Sequence, residues 1–139
     1  MKLQDLQIKI FADGANLEDM LSVYHKGVVR GFTTNPSLMK KAGVQDYKDY
    51  ARNVLQHIPD DPVSFEVFSD DFVTMEKEAE TLSKLGDNVY VKIPVMNTKG
   101  ESSVPLIQKL SSQGCKLNVT AIFTLEQTTN VINALSAET

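Results

Sequence analysis

The feature that most constrains the fold is a repeated alternation of short apolar runs with longer segments of helical period. Five runs have the length and composition of β-strands, and they cover residues 8–13, 31–34, 63–68, 88–95 and 116–123. The segments between them place apolar residues three and four positions apart, as amphipathic helices do. Because a repeated strand–helix unit sets its strands side by side in one direction, the pattern predicts an α/β fold with a parallel sheet covered by helices.

Capping residues mark the ends of the helical segments. Asn35 before Pro36 predicts the start of the second helix, and Ser69 or Asp70 predicts the start of the third. A fifth helix is predicted from about Leu125. Glycines stand where the first, third and fourth helices should end: Gly27, Gly86 and Gly114.

The composition is that of one folded domain. The chain has 139 residues, of which 42% are hydrophobic and 23% are charged, so we predict a single domain over residues 1–139. No apolar run approaches the ~20 residues of a membrane helix. The N-terminal sequence lacks the apolar core and cleavage site of a secretion signal, and we therefore predict a cytoplasmic protein with no membrane partner.

Charge and cysteine content exclude several classes of function. A formal net charge of −4 offers no basic surface for nucleic acid. The single cysteine, Cys115, cannot form an internal disulfide and is expected to be a small buried residue. His25 and His57 lie near the ends of predicted helices, and no Cys/His cluster has the spacing of metal ligands, so we predict no metal.

A polar residue stands near the C-terminal end of every predicted strand. In strand order these residues are Asp13; Thr33, Thr34 and Asn35; Glu66; Lys92; and Asn118 and Thr120. The period of two along a strand gives each strand one wholly apolar side and one side that bears the polar group. Because parallel strands end at the same edge of a sheet, these polar groups are expected to converge, as they do at the C-terminal mouth of a barrel.

Lys92 is the most informative of these residues, because it lies in the middle of the apolar run NVYVKIPV. A buried ammonium is costly unless it is paired, reaches water or gives up its proton. A structural ion pair with Glu66 is one explanation. Buried pairs rarely add net stability, however, so we interpret both residues as functional.

The other polar residues also have structural alternatives. Asp13 and Asn35 could cap the helices that follow them, and Asn118 and Thr120 could be hydrogen-bonding fillers. The turn DGANLED after the first strand contains one glycine, which gives little support to the glycine-rich phosphate loop of nucleotide-binding sheets.

Five motifs together resemble the transaldolase family, and within it the small members close to fructose-6-phosphate aldolase. They read FADGAN, GFTTNPSLM, SFEVFS, VYVKIPV and KLNVTAIFTLEQ, and the match runs from about Ile8 to about Gln127. The resemblance implies a (β/α) barrel of the TIM type, of which this chain covers about the first five of eight units. It also implies an enzyme of carbohydrate metabolism that acts on sugar phosphates without a metal or organic cofactor.

The resemblance assigns a role to each matching residue. Lys92 of VKIP would form a Schiff base with a ketose, and Asp13 would be the acid/base for the cleaved C3–C4 bond. Glu66 and Thr120 would position the water that carries protons during imine formation. Burial would favour the neutral lysine that this attack needs. Residues that would bind the substrate are Thr34, Asn35 and Asn118.

Glu66 separates two activities that the resemblance allows. Transaldolases of this family typically carry glutamate in the motif, whereas the fructose-6-phosphate aldolases typically carry glutamine. The sequence therefore favours transfer of a dihydroxyacetone unit between sugar phosphates, as in the pentose phosphate pathway. Reversible aldol cleavage of fructose 6-phosphate is the alternative.

Chain length leaves further alternatives open. A (β/α)8 barrel runs to ~250 residues, and ~200 at the short end, so three units are unaccounted for. In the family that part supplies a serine and an arginine that bind the substrate phosphate. We favour a portion of a longer chain over a short protein that closes its sheet by self-assembly, and both interpretations predict a homo-oligomer.

Two other classes of function remain alternatives. One is a catalytically inactive partial barrel that acts as an assembly module. The other is a flavodoxin-like sheet that binds a phosphorylated ligand at helix N-termini, although such a protein would not explain Lys92.

Overall fold

A computed structural model of the chain describes residues 7–139 and divides at the end of the third strand into two compact units, residues 7–65 and 66–139. The single domain expected from composition stays a prediction. Residues 1–6 of the predicted domain lie outside the described range.

The first unit carries three strands and three helices. In chain order these are β1 (Ala12–Asp13), α1 (Leu17–Lys26), β2 (Phe32–Thr33), α2 (Pro36–Lys41), α3 (Tyr47–His57) and β3 (Val63–Glu66), whose last residue opens the second unit. β1 pairs with β2 and β2 pairs with β3, both in parallel. Consecutive strands of this unit are therefore joined by helical crossovers, as parallel pairing requires.

The second unit continues the same alternation. Its elements are α4 (Phe72–Ser83), β4 (Val89–Pro94), α5 (Val104–Ser112), β5 (Leu117–Thr120) and α6 (Leu125–Ala134). β4 and β5 pair in parallel from Val91 opposite Leu117 to Pro94 opposite Thr120. Five parallel strands that alternate with helices confirm the predicted α/β class.

Strand β4 shows the predicted two-sided pattern most clearly. Val89, Val91 and Ile93 are buried, whereas Tyr90 and Lys92 between them are half-buried. Burying a valine or isoleucine side chain contributes roughly 1.5–3 kcal/mol, so the apolar side fixes the strand's orientation. The lysine must then project from the opposite face.

The first and last strands are shorter than predicted. β1 has two residues instead of six, and Ile8, expected on a packed face, is 67% exposed. In β5 the apolar residues Leu117 and Val119 are half-buried. β5 ends at Thr120 because Ala121 has a left-handed backbone with φ 61°, which an extended strand cannot accommodate.

The segment predicted as one long second helix forms two. α2 ends at Lys41, and Gly43 follows with φ +77°. Asp46 then begins α3 by accepting a hydrogen bond from the backbone N–H of Asp49 at 2.9 Å. A glycine in the left-handed region ends a helix, and an aspartate cap begins the next. The apolar period runs across both helices, so it did not indicate the break between them.

Several other helix boundaries agree with their predicted caps, although α4 ends at Ser83 and not at Gly86. Asn35 accepts from the N–H of Leu38 at 2.9 Å, and Gly27 ends α1 with φ 64°. α6 begins at Leu125, as predicted. The cap of α4 is Asp71, one or two residues later than expected, because its carboxylate accepts a hydrogen bond from the N–H of Thr74 in the first turn.

Gly31 provides a stability test of the first unit. Its φ is +152°, and an added Cβ would lie 2.5 Å from Cε1 of Phe11 and 2.7 Å from the carbonyl oxygen of Pro62. We expect Gly31→Ala to lower the free energy of unfolding by about 1–3 kcal/mol, measured by urea denaturation. The control is Gly14→Ala, where a Cβ meets nothing within 4 Å. Equal stability of the two variants would contradict the prediction.

Candidate active site

In the second unit, Lys92 and Glu66 lie side by side. The Nζ atom of Lys92 is 3.4 Å from Oε2 of Glu66, and the two side chains are 12% and 21% exposed. The backbone is paired beside them, since the N–H of Val67 donates to the carbonyl of Lys92 at 3.1 Å. The structure thus contains the ion pair considered from the sequence, and a catalytic role for either residue stays a prediction.

The polar residues of β5 lie in register with β4. Asn118 is paired with Lys92, and Thr120 is paired with Pro94. Residues paired in register on parallel strands project to the same face, so Asn118 shares the face of Lys92. Both Asn118 and Thr120 are half-buried. The second unit therefore brings together, at the C-terminal ends of its strands, the lysine, the glutamate and the amide that the sequence singled out.

Ala121, directly after these residues, has a strained backbone. It is the one non-glycine residue with positive φ within residues 7–139. A left-handed conformation costs an L-residue roughly 1–2 kcal/mol, and such strain occurs preferentially at functional sites. This left-handed residue turns the chain at the end of β5.

In the first unit, Asp13 is paired in register with Thr33. The hydroxyl of Thr33 donates to Oδ1 of Asp13 at 2.7 Å, and the N–H of Gly14 donates to the carbonyl of Thr33 at 3.0 Å. Asp13 itself is exposed. The Thr33 hydroxyl therefore orients the Asp13 carboxylate, while the Gly14 hydrogen bond continues the strand pairing beyond β1.

Thr34 and Asn35 occupy different environments. Thr34 is fully buried, and its N–H donates to the carbonyl of Ser64 at 3.1 Å. Asn35 is half-buried and serves as the cap of α2 through its Oδ1. The structural alternative for Asn35 is therefore realised. Substrate binding by either residue stays a prediction.

Tyr50 supports the segment next to Asp13, and no sequence signal had indicated it. Its hydroxyl donates to the carbonyl of Ala15 at 2.9 Å. Burial raises the pKa of Tyr50 to about 12, although the Thr34 hydroxyl acts in the opposite direction. Tyrosine on an amphipathic helix is ordinary, so only the folded structure identifies this contact.

The raised pKa of Tyr50 predicts a pH dependence of stability. The phenol titrates at 10.0 when unperturbed and at about 12 in the fold, so its contribution is fully present below pH 10 and is lost as the pH rises through about 12. We expect Tyr50→Phe to reduce this alkaline loss, and to lower the free energy of unfolding at neutral pH by about 1 kcal/mol through the lost hydrogen bond. Urea denaturation at neutral pH and above pH 10 measures both effects, with Tyr90→Phe as the control. Identical dependence of stability on pH in Tyr50→Phe and wild type would contradict the prediction.

Asp70, which the sequence offered as a possible start of the third helix, is exposed and does not cap α4. Its Oδ1 accepts from the N–H of Thr98 at 2.8 Å and its Oδ2 accepts from the Thr98 hydroxyl at 2.6 Å. These bonds hold the pKa of Asp70 below its usual value. They join the loop after β3 to the loop after β4.

Within residues 7–139, no group of three or more His, Cys, Asp or Glu side chains is arranged to hold a metal ion. In the same range, no helix is both long and apolar enough to cross a membrane. Cys115 is buried as predicted, and burial raises the pKa of its thiol. The expected cytoplasmic location stays a prediction.

Parallel strand–helix repeats with a lysine–glutamate pair at the strand ends define an α/β protein with a candidate active site at that edge. Residues 10–138 match the family described as Transaldolase/Fructose-6-phosphate aldolase. The chain belongs to this family, which confirms the resemblance carried by its motifs.

Three curated relatives illustrate the similarity. Proteins named "Probable transaldolase" from Methanococcus maripaludis, Thermoanaerobacter sp. and Dehalococcoides mccartyi are 44%, 42% and 37% identical to this chain over 120 residues. The alignments cover 86% of this chain and 53%, 53% and 54% of those relatives. The chain spans about half the length of the curated relatives it matches, consistent with part of a (β/α) barrel.

Proposed function

We propose that this chain belongs to a transaldolase that transfers a dihydroxyacetone unit from a ketose phosphate to an aldose phosphate through a Schiff base on Lys92. The observation that carries the proposal is the Lys92 amine, largely buried on β4 and 3.4 Å from the Glu66 carboxylate, in a member of this family. A lysine held in this way suits a nucleophile, because the adjacent carboxylate can accept a proton from the amine.

Imine formation uses the residues of the second unit. The neutral Nζ of Lys92 adds to the C2 carbonyl of the donor, and the resulting hydroxyl leaves as water. Glu66 is close enough to exchange protons with the amine and, through a water held with Thr120, with the departing hydroxyl. Asn118, in register with Lys92, is assigned to a hydroxyl of the donor.

Cleavage requires a base at the C4 hydroxyl, and the proposal assigns this role to Asp13. As Asp13 takes the proton, the C4–O electrons form the carbonyl of the released aldehyde. The electron pair of the C3–C4 bond moves toward the protonated imine and leaves an enamine on Lys92. Thr33 orients Asp13, while Thr34 and Asn35 are assigned to donor hydroxyls.

Transfer reverses these steps with a second aldehyde. The enamine carbon attacks the acceptor carbonyl, and the proton held by Asp13 passes to the new hydroxyl. Water then hydrolyses the imine and frees Lys92. The water released when the imine forms is matched by the water consumed when it is hydrolysed. The donor and the acceptor therefore supply every atom of the products.

Glu66 favours transfer over simple cleavage, because glutamate in this motif is typical of the family's transaldolases. A fructose-6-phosphate aldolase would share the first half of the reaction and would release the dihydroxyacetone unit instead of passing it on. A transferase of this kind would belong to the pentose phosphate pathway.

Borohydride trapping tests the proposal directly. The chain is incubated with fructose 6-phosphate and borohydride, and the modified residue is mapped by mass spectrometry. A reduced adduct on Lys92 supports the Schiff-base mechanism. No adduct, or one confined to exposed lysines such as Lys99, would overturn the proposal for this chain and favour an inactive assembly module.

We also propose self-association, as predicted from the sequence. Large apolar side chains stand exposed around α6: Phe123 is 89% exposed, Leu125 is 87% and Ile132 is 64%. Large apolar side chains exposed along one segment are typical of surfaces that are covered in an assembly. We expect Ile132→Glu to weaken association measured by sedimentation velocity over a range of concentrations, with Asn130→Glu as the exposed control. A monomeric wild-type chain at all concentrations would contradict this expectation.

A further inference from the structure

The loop after β3 is held by Glu78, a residue of α4 that takes no part in the chemistry above. Its Oε2 accepts from the backbone N–H groups of Phe68 and Ser69 at 2.8 and 3.0 Å. Its Oε1 accepts from the Ser69 hydroxyl at 2.6 Å. Three donors thus converge on one half-buried carboxylate. Hydrogen bonds to a charged acceptor are short and strong, so they restrain this loop.

The restrained loop follows Glu66 directly. At Val67 the backbone N–H donates to the carbonyl of Lys92, and at the next two residues it donates to Glu78. The Glu66 carboxylate is therefore flanked by a strand pairing and by the Glu78 hydrogen bonds. Its distance to the Lys92 amine depends on both.

A second carboxylate restrains the same loop one residue farther on. Asp70 binds the backbone and the hydroxyl of Thr98, in the loop that follows β4. The segment from Glu66 to Asp70 is consequently tied at successive residues, first to the strand that carries Lys92, then to α4, and then to the loop beyond that strand.

We propose that Glu78 is a positioning residue that acts through Glu66, by holding that carboxylate where it serves the Lys92 amine. The inference rests on the proposed function, because Schiff-base formation is the step that needs this geometry. A misplacement of about 1 Å in such an arrangement can cost about a hundredfold in rate. Glu78→Ala is therefore expected to slow imine formation on Lys92 by about tenfold to a hundredfold, with KM for the ketose nearly unchanged.

A conservative variant separates positioning from charge. Glu78→Gln keeps a carbonyl oxygen that can accept from Phe68 and Ser69, but its amide cannot accept from the Ser69 hydroxyl. We expect Gln to restore most of the rate lost with Ala. The matched control is Glu80→Gln, which makes the same charge change two residues along the same helix and is expected to leave the rate unchanged.

Reductive methylation provides a measurement that does not depend on sugar recognition. Formaldehyde with cyanoborohydride forms an imine on any accessible neutral lysine, and the methylation of Lys92 is compared with that of exposed Lys99 in the same digest. Glu66→Gln removes the carboxylate that pairs with Lys92, and Glu78→Ala releases the loop that holds it, so we expect both variants to change this ratio in the same direction. The double variant is expected to show the same ratio as Glu66→Gln alone, because the effect of Glu78 passes through Glu66.

Independent, multiplying changes of the methylation ratio in the double variant would overturn the positioning role, and so would an unchanged ratio in a folded Glu78→Ala. Thermal unfolding of each variant establishes the folded state. If Glu78→Ala does not fold, Ser69→Ala removes one of the three hydrogen bonds. It is expected to give a smaller change of the ratio, which is likewise absent in the Glu66→Gln background.

The two proposals fail in different ways. A wild-type chain that forms no adduct with fructose 6-phosphate, yet shows the coupled methylation, would overturn the proposed function and support the positioning of Glu66. A Glu78→Ala chain that forms the sugar adduct at the wild-type rate would overturn the positioning role and support the proposed function.

Discussion

Lys92→Met is expected to abolish both the borohydride-trapped adduct and any transfer of the dihydroxyacetone unit. Methionine keeps an unbranched apolar stem on β4 but has no amine to form the imine. Removing a covalent nucleophile can cost on the order of a millionfold in kcat, so the remaining activity should be indistinguishable from background. The measurements are the intact mass after trapping with fructose 6-phosphate and a coupled assay of the released aldehyde.

One control and one stability test accompany this variant. Lys99→Met removes an exposed lysine beyond β4 and is expected to leave the adduct intact. Lys92→Met also leaves the Glu66 carboxylate without the amine 3.4 Å away, which we expect to lower the free energy of unfolding by about 1–3 kcal/mol. Adding Glu66→Gln should recover part of that loss. Wild-type activity in Lys92→Met would contradict the proposed mechanism.

Asp13→Asn is expected to separate imine formation from bond cleavage. Asparagine fills the same space and its amide oxygen can still accept from the Thr33 hydroxyl, but it cannot take the proton of the C4 hydroxyl. Loss of a general base typically costs about 10²–10⁴-fold. The variant should therefore form the initial adduct on Lys92 and fail to cleave it.

The mass of the trapped adduct distinguishes these outcomes. Asp13→Asn should trap the intact six-carbon sugar phosphate, whereas the wild-type chain should also trap the three-carbon unit that remains after cleavage. Asp19→Asn is a matched control, because Asp19 lines the same cavity of about 320 Å³ as Asp13. A three-carbon adduct in Asp13→Asn at the wild-type level would exclude Asp13 as the base.

Features that depend on neighbouring residues in the sequence were predictable. The alternation along β4 placed Lys92 opposite a buried apolar face, and the Asn35–Pro36 pair marked the start of α2. Both follow from local rules, the two-residue period of a strand and the chemistry of a helix cap. The break at Gly43 obeys a local rule as well, and it was missed because the apolar period on either side was continuous.

Features that depend on distant residues were not predictable. Nothing local distinguishes Glu78 from the other acidic residues of α4, or Tyr50 from any tyrosine on an amphipathic helix. Ile8 has the composition of a buried strand residue, yet it is largely exposed, because β1 pairs over only two residues of β2.

The sequence by itself determined the α/β class, the family and the residues that bear the proposed chemistry, because hydrophobic period, capping and motif are properties of short segments. The tertiary structure alone decided the 3.4 Å distance between Lys92 and Glu66, the Thr33 hydrogen bond to Asp13 and the hydrogen bonds between Glu78 and the loop after β3. Those contacts join residues far apart in the chain, and their geometry exists only once the elements have packed.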